Sequence, residues 1–208
     1  MWTVSTSPVR STTVTTYHHG NLRAELLRTA VELAREQGPS GVVLREVARR
    51  AGVSHNAAYR HFADRKELLD ATAGAGQDEL FRAMSGRAAR VRGGDPAERS
   101  VRRMREIGKG YVLFAVREPG LFATAFAGTV ERPPDEPGPY ELLSAALDEM
   151  VANGRLAPSR REGAEVACWS AVHGFAVLHI DGPLADVPAR ERDRQLEVML
   201  DALEHGLA

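Results

Sequence analysis

LREVARRAGVSHNAAYRHF, residues 44–62, is the stretch whose reading decides the fold. Val47, Ala48 and Ala51 place apolar groups on one side of a first short helix, at the three-to-four-residue spacing that a buried helical face requires. Gly52 ends that helix, because glycine enters the left-handed region without a Cβ clash. Val53 is an apolar plug in the turn, and Ser54 is an N-cap for a second helix, its hydroxyl accepting from amides that have no partner within the helix. Ala58 and Phe62 can face the core, which leaves His55, Asn56, Tyr59, Arg60 and His61 crowded on the remaining surface. Small Ala48 opposite the turn lets the two helices cross closely. This is a helix-turn-helix pattern, with the second helix offered to a major groove.

Around it, residues 17–69 resemble the TetR family of bacterial transcriptional regulators. Gly52, Val53, Ser54, Tyr59, Phe62, Lys66, Leu68 and Leu69 carry that resemblance at the family's spacing. A second, weaker resemblance lies in Trp169-Ser170-Ala171-Val172-His173-Gly174, similar to the W…HG signature of one C-terminal domain type in TetR-like regulators. The resemblance implies an all-α fold: a disordered arm over residues 1–16, a three-helix DNA-binding domain over 17–63, and a helical effector-binding and dimerisation domain over 64–208. It further implies a cytoplasmic homodimer that binds double-stranded palindromic DNA, acts as a repressor and answers to a small hydrophobic effector.

Composition is compatible with this and weaker than the motif. Residues 1–70 hold ten Lys and Arg against seven Asp and Glu, while residues 71–208 hold 17 against 21, so a basic first third sits on a slightly acidic remainder. One cysteine, Cys168, rules out an internal disulfide framework and fits a reducing compartment. No apolar run is long enough to span a bilayer, and the first residues lack a signal-peptide layout.

In chain order, residues 1–16 read as a tail in which Arg10 is a candidate for the minor groove. A first helix over 21–37 carries Leu22, Leu26, Leu27, Ala30, Leu33 and Ala34 as its buried stripe and stops at Gly38-Pro39. Asp64 caps a fourth helix running to about residue 92. Arg65 and Lys66 lie in its first turn, where a cation opposes the helix dipole unless a phosphate is near. Lys66 is therefore either a DNA-backbone clamp, as the resemblance implies, or an ordinary solvated lysine. Further helices are expected over 97–117, 121–130, 140–152, 162–180 and 189–205, with a Pro-dense loop over 131–140.

On the recognition helix, Tyr59 is by resemblance a phosphate contact. His55, Asn56 and Arg60 are candidates for base edges or phosphates, since asparagine pairs with adenine and arginine with guanine. His61 is either a phosphate donor or a packing residue, and Ser54 stands at the helix's DNA-facing start. Met104, Tyr111, Phe114, Phe122, Phe126, Trp169 and His173 are candidates for an apolar effector pocket with one polar anchor; the alternative for each is plain core. Trp169 and His173, four apart on one face, could equally be a core tryptophan capped by its own histidine, with Gly174 allowing a close helix approach. Phe175, Leu178, Leu196, Met199, Leu200 and Leu203 exceed what one small bundle needs, which points to a four-helix dimer interface. The eight arginines between Arg82 and Arg105 read as a solvated face, or as a docking place for an acidic effector or phosphates. Enzymatic and metal chemistry find no support. Cys168 and His173 point about 140° apart on a helix, His18 and His19 are adjacent, and His173 and His179 fall on different faces. No cofactor is implied. A DNA-binding regulator with no effector, and more remotely a helical enzyme, are the other readings.

Overall fold

The computed structural model describes residues 22–133 and 135–207; the N-terminal arm with Arg10, Tyr17, His18 and His19 lies outside them. Among the described residues nine α-helices follow one another: α1 (Leu22–Gln37), α2 (Leu44–Arg50), α3 (His55–Tyr59), α4 (Arg65–Ala88), α5 (Pro96–Arg117), α6 (Pro119–Ala125), α7 (Pro139–Ala152), α8 (Ala164–Ile180) and α9 (Ala189–Leu207). Among the described residues there is no strand.

The first three helices close on a small centre in which Leu26, Leu33, Val47, Ala58 and Phe62 are all fully buried. Gly52 makes the turn between α2 and α3 at φ 70°, a backbone that a side chain would strain. Asp64 stops the chain from running on from α3: its carboxylate accepts from the Glu67 amide at 2.9 Å and starts α4. In return, the Glu67 carboxylate accepts from the Ala63 amide at 2.7 Å.

α4 ends at Ala88, four residues short of the sequence expectation, because Arg90 and Val91 already turn over hydrogen bonds of shorter reach, to the Arg87 and Ala88 carbonyls. α6 also differs from its expected span. It begins at Pro119, whose missing N–H costs nothing in a first turn, and is over by Ala125. The core of the first three helices continues without interruption into the body through Leu68, Leu80, Tyr111 and Leu121, as far as Leu196 and Leu200. A second, smaller core lies between α5, α7 and α8 around Met104, Leu147, Met150 and Cys168.

Three contacts fasten α6 between the two parts. Gly120 lies so close to the end of α1 that a Cβ would overlap the Ala34 and Arg35 carbonyl oxygens. Arg35 of α1 pairs with Glu79 of α4 at 2.6 Å and with Glu118, just before α6, at 2.5 Å. Gln77 of α4 donates to the Ala125 carbonyl at 3.0 Å. No helix among the described residues is long and apolar enough to cross a membrane.

Candidate functional site

α3 is only 5 residues long, and its position follows from its two ends. The Ser54 hydroxyl accepts from the Ala57 amide at 3.2 Å, and Ala58 and Phe62 anchor the inner face. Ser54, His55, Asn56, Tyr59 and Arg60 are exposed, with Tyr59 46% accessible, whereas His61 is half-buried beside Phe62. His55 and Tyr59 meet edge to face, with ring centroids 4.5 Å apart, so two of the expected contact side chains orient each other. Lys66 is also exposed, its ammonium 2.5 Å from the Asp70 carboxylate, which raises its pKa. Asp70 accepts in addition from the Thr129 amide at 2.9 Å, beyond α6. A cluster of imidazole, amide, phenol and guanidinium on a proud short helix can hydrogen-bond base edges and phosphates alike.

In the body, Tyr111, Phe122, Phe126, Trp169 and His173 do come together. Tyr111 meets Phe122 at 5.5 Å and Trp169 at 5.4 Å, and Phe126 meets His173 at 5.3 Å between centroids. The polar partner of His173 is the Tyr111 hydroxyl, 2.7 Å from Nδ1, and not Trp169 as its position on the same helix face suggested. Burial raises the Tyr111 phenol pKa and lowers that of the imidazole, so both are neutral. The neutral pair is assigned with the phenol O–H donating to Nδ1, which leaves Nε2–H as a donor. The cluster opens outward into a cleft of about 200 Å³ that includes Phe122, Phe126, His173, Val177 and Asp181.

Deeper in, Met104, Tyr111, Cys168, Trp169 and Val172 line an apolar void of about 20 Å³. Met104 thus belongs to the inner core rather than to the aromatic cleft. Phe114 is a correction: it faces the α4–α5 seam, away from the other rings. Cys168 is buried, and its thiol is pushed up to about 11, which leaves it unreactive. Tyr140, its ring 6.1 Å from Trp169, joins the cluster unforeseen; its place after the Pro-dense loop carries no periodic signal.

A model described as "Bacterial regulatory proteins, tetR family" matches residues 26–72, and one described as "Tetracyclin repressor-like, C-terminal domain" matches residues 104–203. The chain belongs to the TetR family. It is a DNA-binding transcriptional regulator and not an enzyme. The tetracycline repressor protein class C of Escherichia coli is 43% identical over 53 residues, which span 26% of this chain and 24% of that protein. A structure of a protein of unknown function from Rhodococcus sp. RHA1 is 30% identical, with a TM-score of 0.71 over 93% of this chain and 99% of its own. A TetR variant from Acinetobacter baumannii AYE, solved in complex with minocycline, is 22% identical with a TM-score of 0.60. It covers 87% of this chain and 93% of its own, a likeness of fold.

Within this TetR-family chain, the expected self-association residues divide. Leu196 and Leu200 are 3% and 2% exposed and pack into the protomer's own core, Leu200 against Gly108; they are corrected to core residues. Met199 and Leu203 are half-buried, and Phe175 stacks on His179 at 4.2 Å. Leu178 is exposed, as are Val166, Val177 and Val198, which lie outside the expected self-association set. Each of these valines has an apolar chain neighbour, so nothing in the local pattern separates them from core positions. Gly174 has nothing within 4 Å of where a Cβ would sit, so it mediates no close approach inside the protomer. Among the described residues, no group of three or more His, Cys, Asp or Glu could hold a metal.

Proposed function

We propose that this protein is a cytoplasmic, ligand-responsive repressor that binds a palindromic operator as a homodimer, with a DNA-binding domain over residues 17–63 and an effector and dimerisation domain over 64–208. The observation that carries the reading is the exposed face of α3. It presents His55, Asn56, Tyr59 and Arg60 outward on a helix held from behind by Ala58 and Phe62. Two such faces related by a two-fold axis read half-sites about one helical turn, or a multiple, apart. Ser54 and Lys66 flank the face as backbone contacts, and His61 supports it. The effector is a small apolar molecule seated among Tyr111, Phe122, Phe126 and Trp169, with His173 Nε2–H as its polar anchor. Its entry moves α6, and α6 is fastened to both α1 and α4. Release of DNA then follows by a shift in population toward a head position that misfits the operator.

Footprinting of the dimer on genomic fragments, with a His55→Ala/Asn56→Ala/Tyr59→Ala variant as control, tests the reading. A protected palindrome that the variant leaves open is expected. Equal affinity of both proteins for all fragments would remove α3 as the reading element.

The inner void of about 20 Å³ favours one other reading, a regulator without an effector, since that space holds a single water at most. Native mass spectrometry of the purified protein separates the two: a co-purifying apolar molecule, displaced on widening of the cleft by Phe126→Ala, belongs to the ligand-responsive form alone.

A further inference from the structure

The arginines between Arg82 and Arg105 do not form a uniform solvated face. α4 and α5 run antiparallel and touch where Gly110 meets Met84, and a Cβ on Gly110 would lie 2.7 Å from the Met84 Cα. This close crossing leaves a long seam on the outside of the pair, with one hollow of about 450 Å³ and a second of about 470 Å³ that share Arg87 and Arg90. Arg82 and Arg117 stand on the walls of the first, and Leu113 and Phe114 form its apolar floor. Arg92 and Arg102 stand on the walls of the second.

The acids in the seam are already engaged. Glu79 and Glu118 pair with Arg35, and Glu106 pairs with Arg87 at 2.7 Å and with Lys109 at 3.3 Å. Among the described residues, Arg82, Arg90, Arg92, Arg102 and Arg117 have no carboxylate within salt-bridge distance, although Arg103 and Arg105 on the same helix do. The Arg87 Nε, at the junction of the two hollows, is buried without a hydrogen-bond partner. A buried donor left unmade costs free energy, and a guanidinium is the side chain best shaped for bidentate contact with phosphate.

We propose that the α4–α5 seam binds a soluble organic polyphosphate of the nucleotide class. Its phosphates lie on Arg87, Arg90 and Arg102, and its planar, less polar part lies over Phe114 between Arg82 and Arg117. Operator DNA is not the occupant. The hollows lie along the second half of the 24-residue α4, with Arg82 about 26 Å and Arg87 about 33 Å of helix from its first residue, Arg65. Each hollow has the volume of a small-molecule site; the first has an apolar floor of Leu113 and Phe114, and the second is walled by cationic side chains around Val91, a division that suits a ligand with one apolar and one anionic part. The site is separate from the aromatic cleft of the body, and it does not depend on the effector reading.

The test is isothermal titration of the full-length protein, at near-physiological salt, with ATP, sodium tripolyphosphate and adenosine. ATP should bind, tripolyphosphate should bind more weakly, and adenosine should not bind. Arg90→Glu/Arg117→Glu should weaken ATP about tenfold or more, the loss expected for one charge-assisted phosphate contact and one guanidinium beside the planar part. Its melting temperature and nucleotide-free operator affinity should stay at wild-type levels. Should that variant fold poorly, Arg82→Gln/Arg117→Gln serves the same purpose, because neither side chain carries an ion pair among the described residues. The proposal is overturned by no binding of ATP at millimolar concentration, or by ATP affinity within twofold of wild type in a folded variant. It is equally overturned if ATP, tripolyphosphate and a non-operator duplex all weaken in parallel, since that marks a general cationic surface.

Discussion

Lys66 faces solvent with its charge already matched by Asp70, so a DNA phosphate must compete with that carboxylate for the ammonium. Lys66→Ala should weaken all operators alike and flatten the salt dependence of binding by about one unit of slope; an unchanged slope would remove the clamp role. Asp70→Asn should do the reverse and tighten non-specific binding, since the amide oxygen can still accept from the Thr129 amide. Asn56→Ala should instead change which operator sequences are preferred, by about 1–3 kcal/mol at one base position. Selection from a randomised operator pool reads this directly, and a uniform loss across sequences would mean that Asn56 contacts no base. His173 has a signature in pH. Burial lowers its folded-state pKa below the ordinary 6.5, and the groups around it (Tyr111, Phe122, Phe126 and Trp169) carry no charge near neutrality, with Asp181 on the wall of the same cleft. Its contribution to stability is therefore present above about pH 6.5 and is lost as pH falls, because the unfolded chain takes up the proton first. Melting temperatures between pH 7.5 and 5.5 should fall in the wild type and fall less in His173→Gln. Parallel curves would place the titration elsewhere.

α6 is the element whose placement matters most and whose sequence says least. Its helix is 7 residues long, too short for a periodic stripe, and its near-continuous apolar composition suits any buried segment. The expected helices over 97–117 and 121–130 leave Pro119 between them, whereas it is the first residue of α6. The role of Gly120 is visible only once α1 is seen lying against it. By contrast, α2, the turn and α3 were legible almost to the residue, because a cap, a glycine at positive φ and two inward anchors each leave a local mark. The aromatic cluster is legible in part: the sequence places Tyr111, Phe122, Phe126, Trp169 and His173 together, but Phe114, one turn on from Tyr111, sits far enough round α5 to line the α4–α5 seam instead. No spacing rule could have supplied Tyr111 as the partner of His173, because the pair is 62 residues apart. The fastening of α6 is open to test. Gly120→Ala forces a methyl against the last carbonyls of α1, and overpacking of that kind costs about 1–3 kcal/mol. A drop of roughly 2–4 °C in melting temperature per kcal/mol is expected for a chain of this size. The change should also shift operator affinity, since the displaced contact joins the head to the body. A loss of stability with operator affinity intact would show that α6 passes nothing to the head.

For the whole molecule, the decisive question is which face of α8 and α9 remains for a second copy once the protomer has satisfied its own core. Leu196 and Leu200 were assigned outward because a leucine stripe on a final helix looks surplus; the structure spends both on covering α5 and α8. The amphipathic pattern said that α9 has an apolar face, but it could not say which neighbour that face meets. What remains outside is Val198 on α9, 61% exposed, together with Val166, Val177 and Leu178 on α8 at 64%, 43% and 42%. These β-branched and aliphatic groups gain nothing in solvent. Burying them across a two-fold axis would recover roughly 25 cal/mol for each Å² of apolar surface covered. The two leucine sets should therefore behave differently when altered. Leu200→Ala should cost about 2–5 kcal/mol of folding stability, as a large-to-small change in a sealed core does, and leave the association state unchanged. Leu178→Asp/Val198→Asp should leave the fold of the protomer intact and convert a dimer to a monomer in sedimentation. Operator affinity should then fall by about a hundredfold or more, because a lone head loses the gain of binding two half-sites at once. Should the Asp variant remain dimeric at micromolar concentration, the association face lies outside α8 and α9. Should Leu200→Ala dissociate the dimer without lowering the melting temperature, Leu200 belongs to the interface after all.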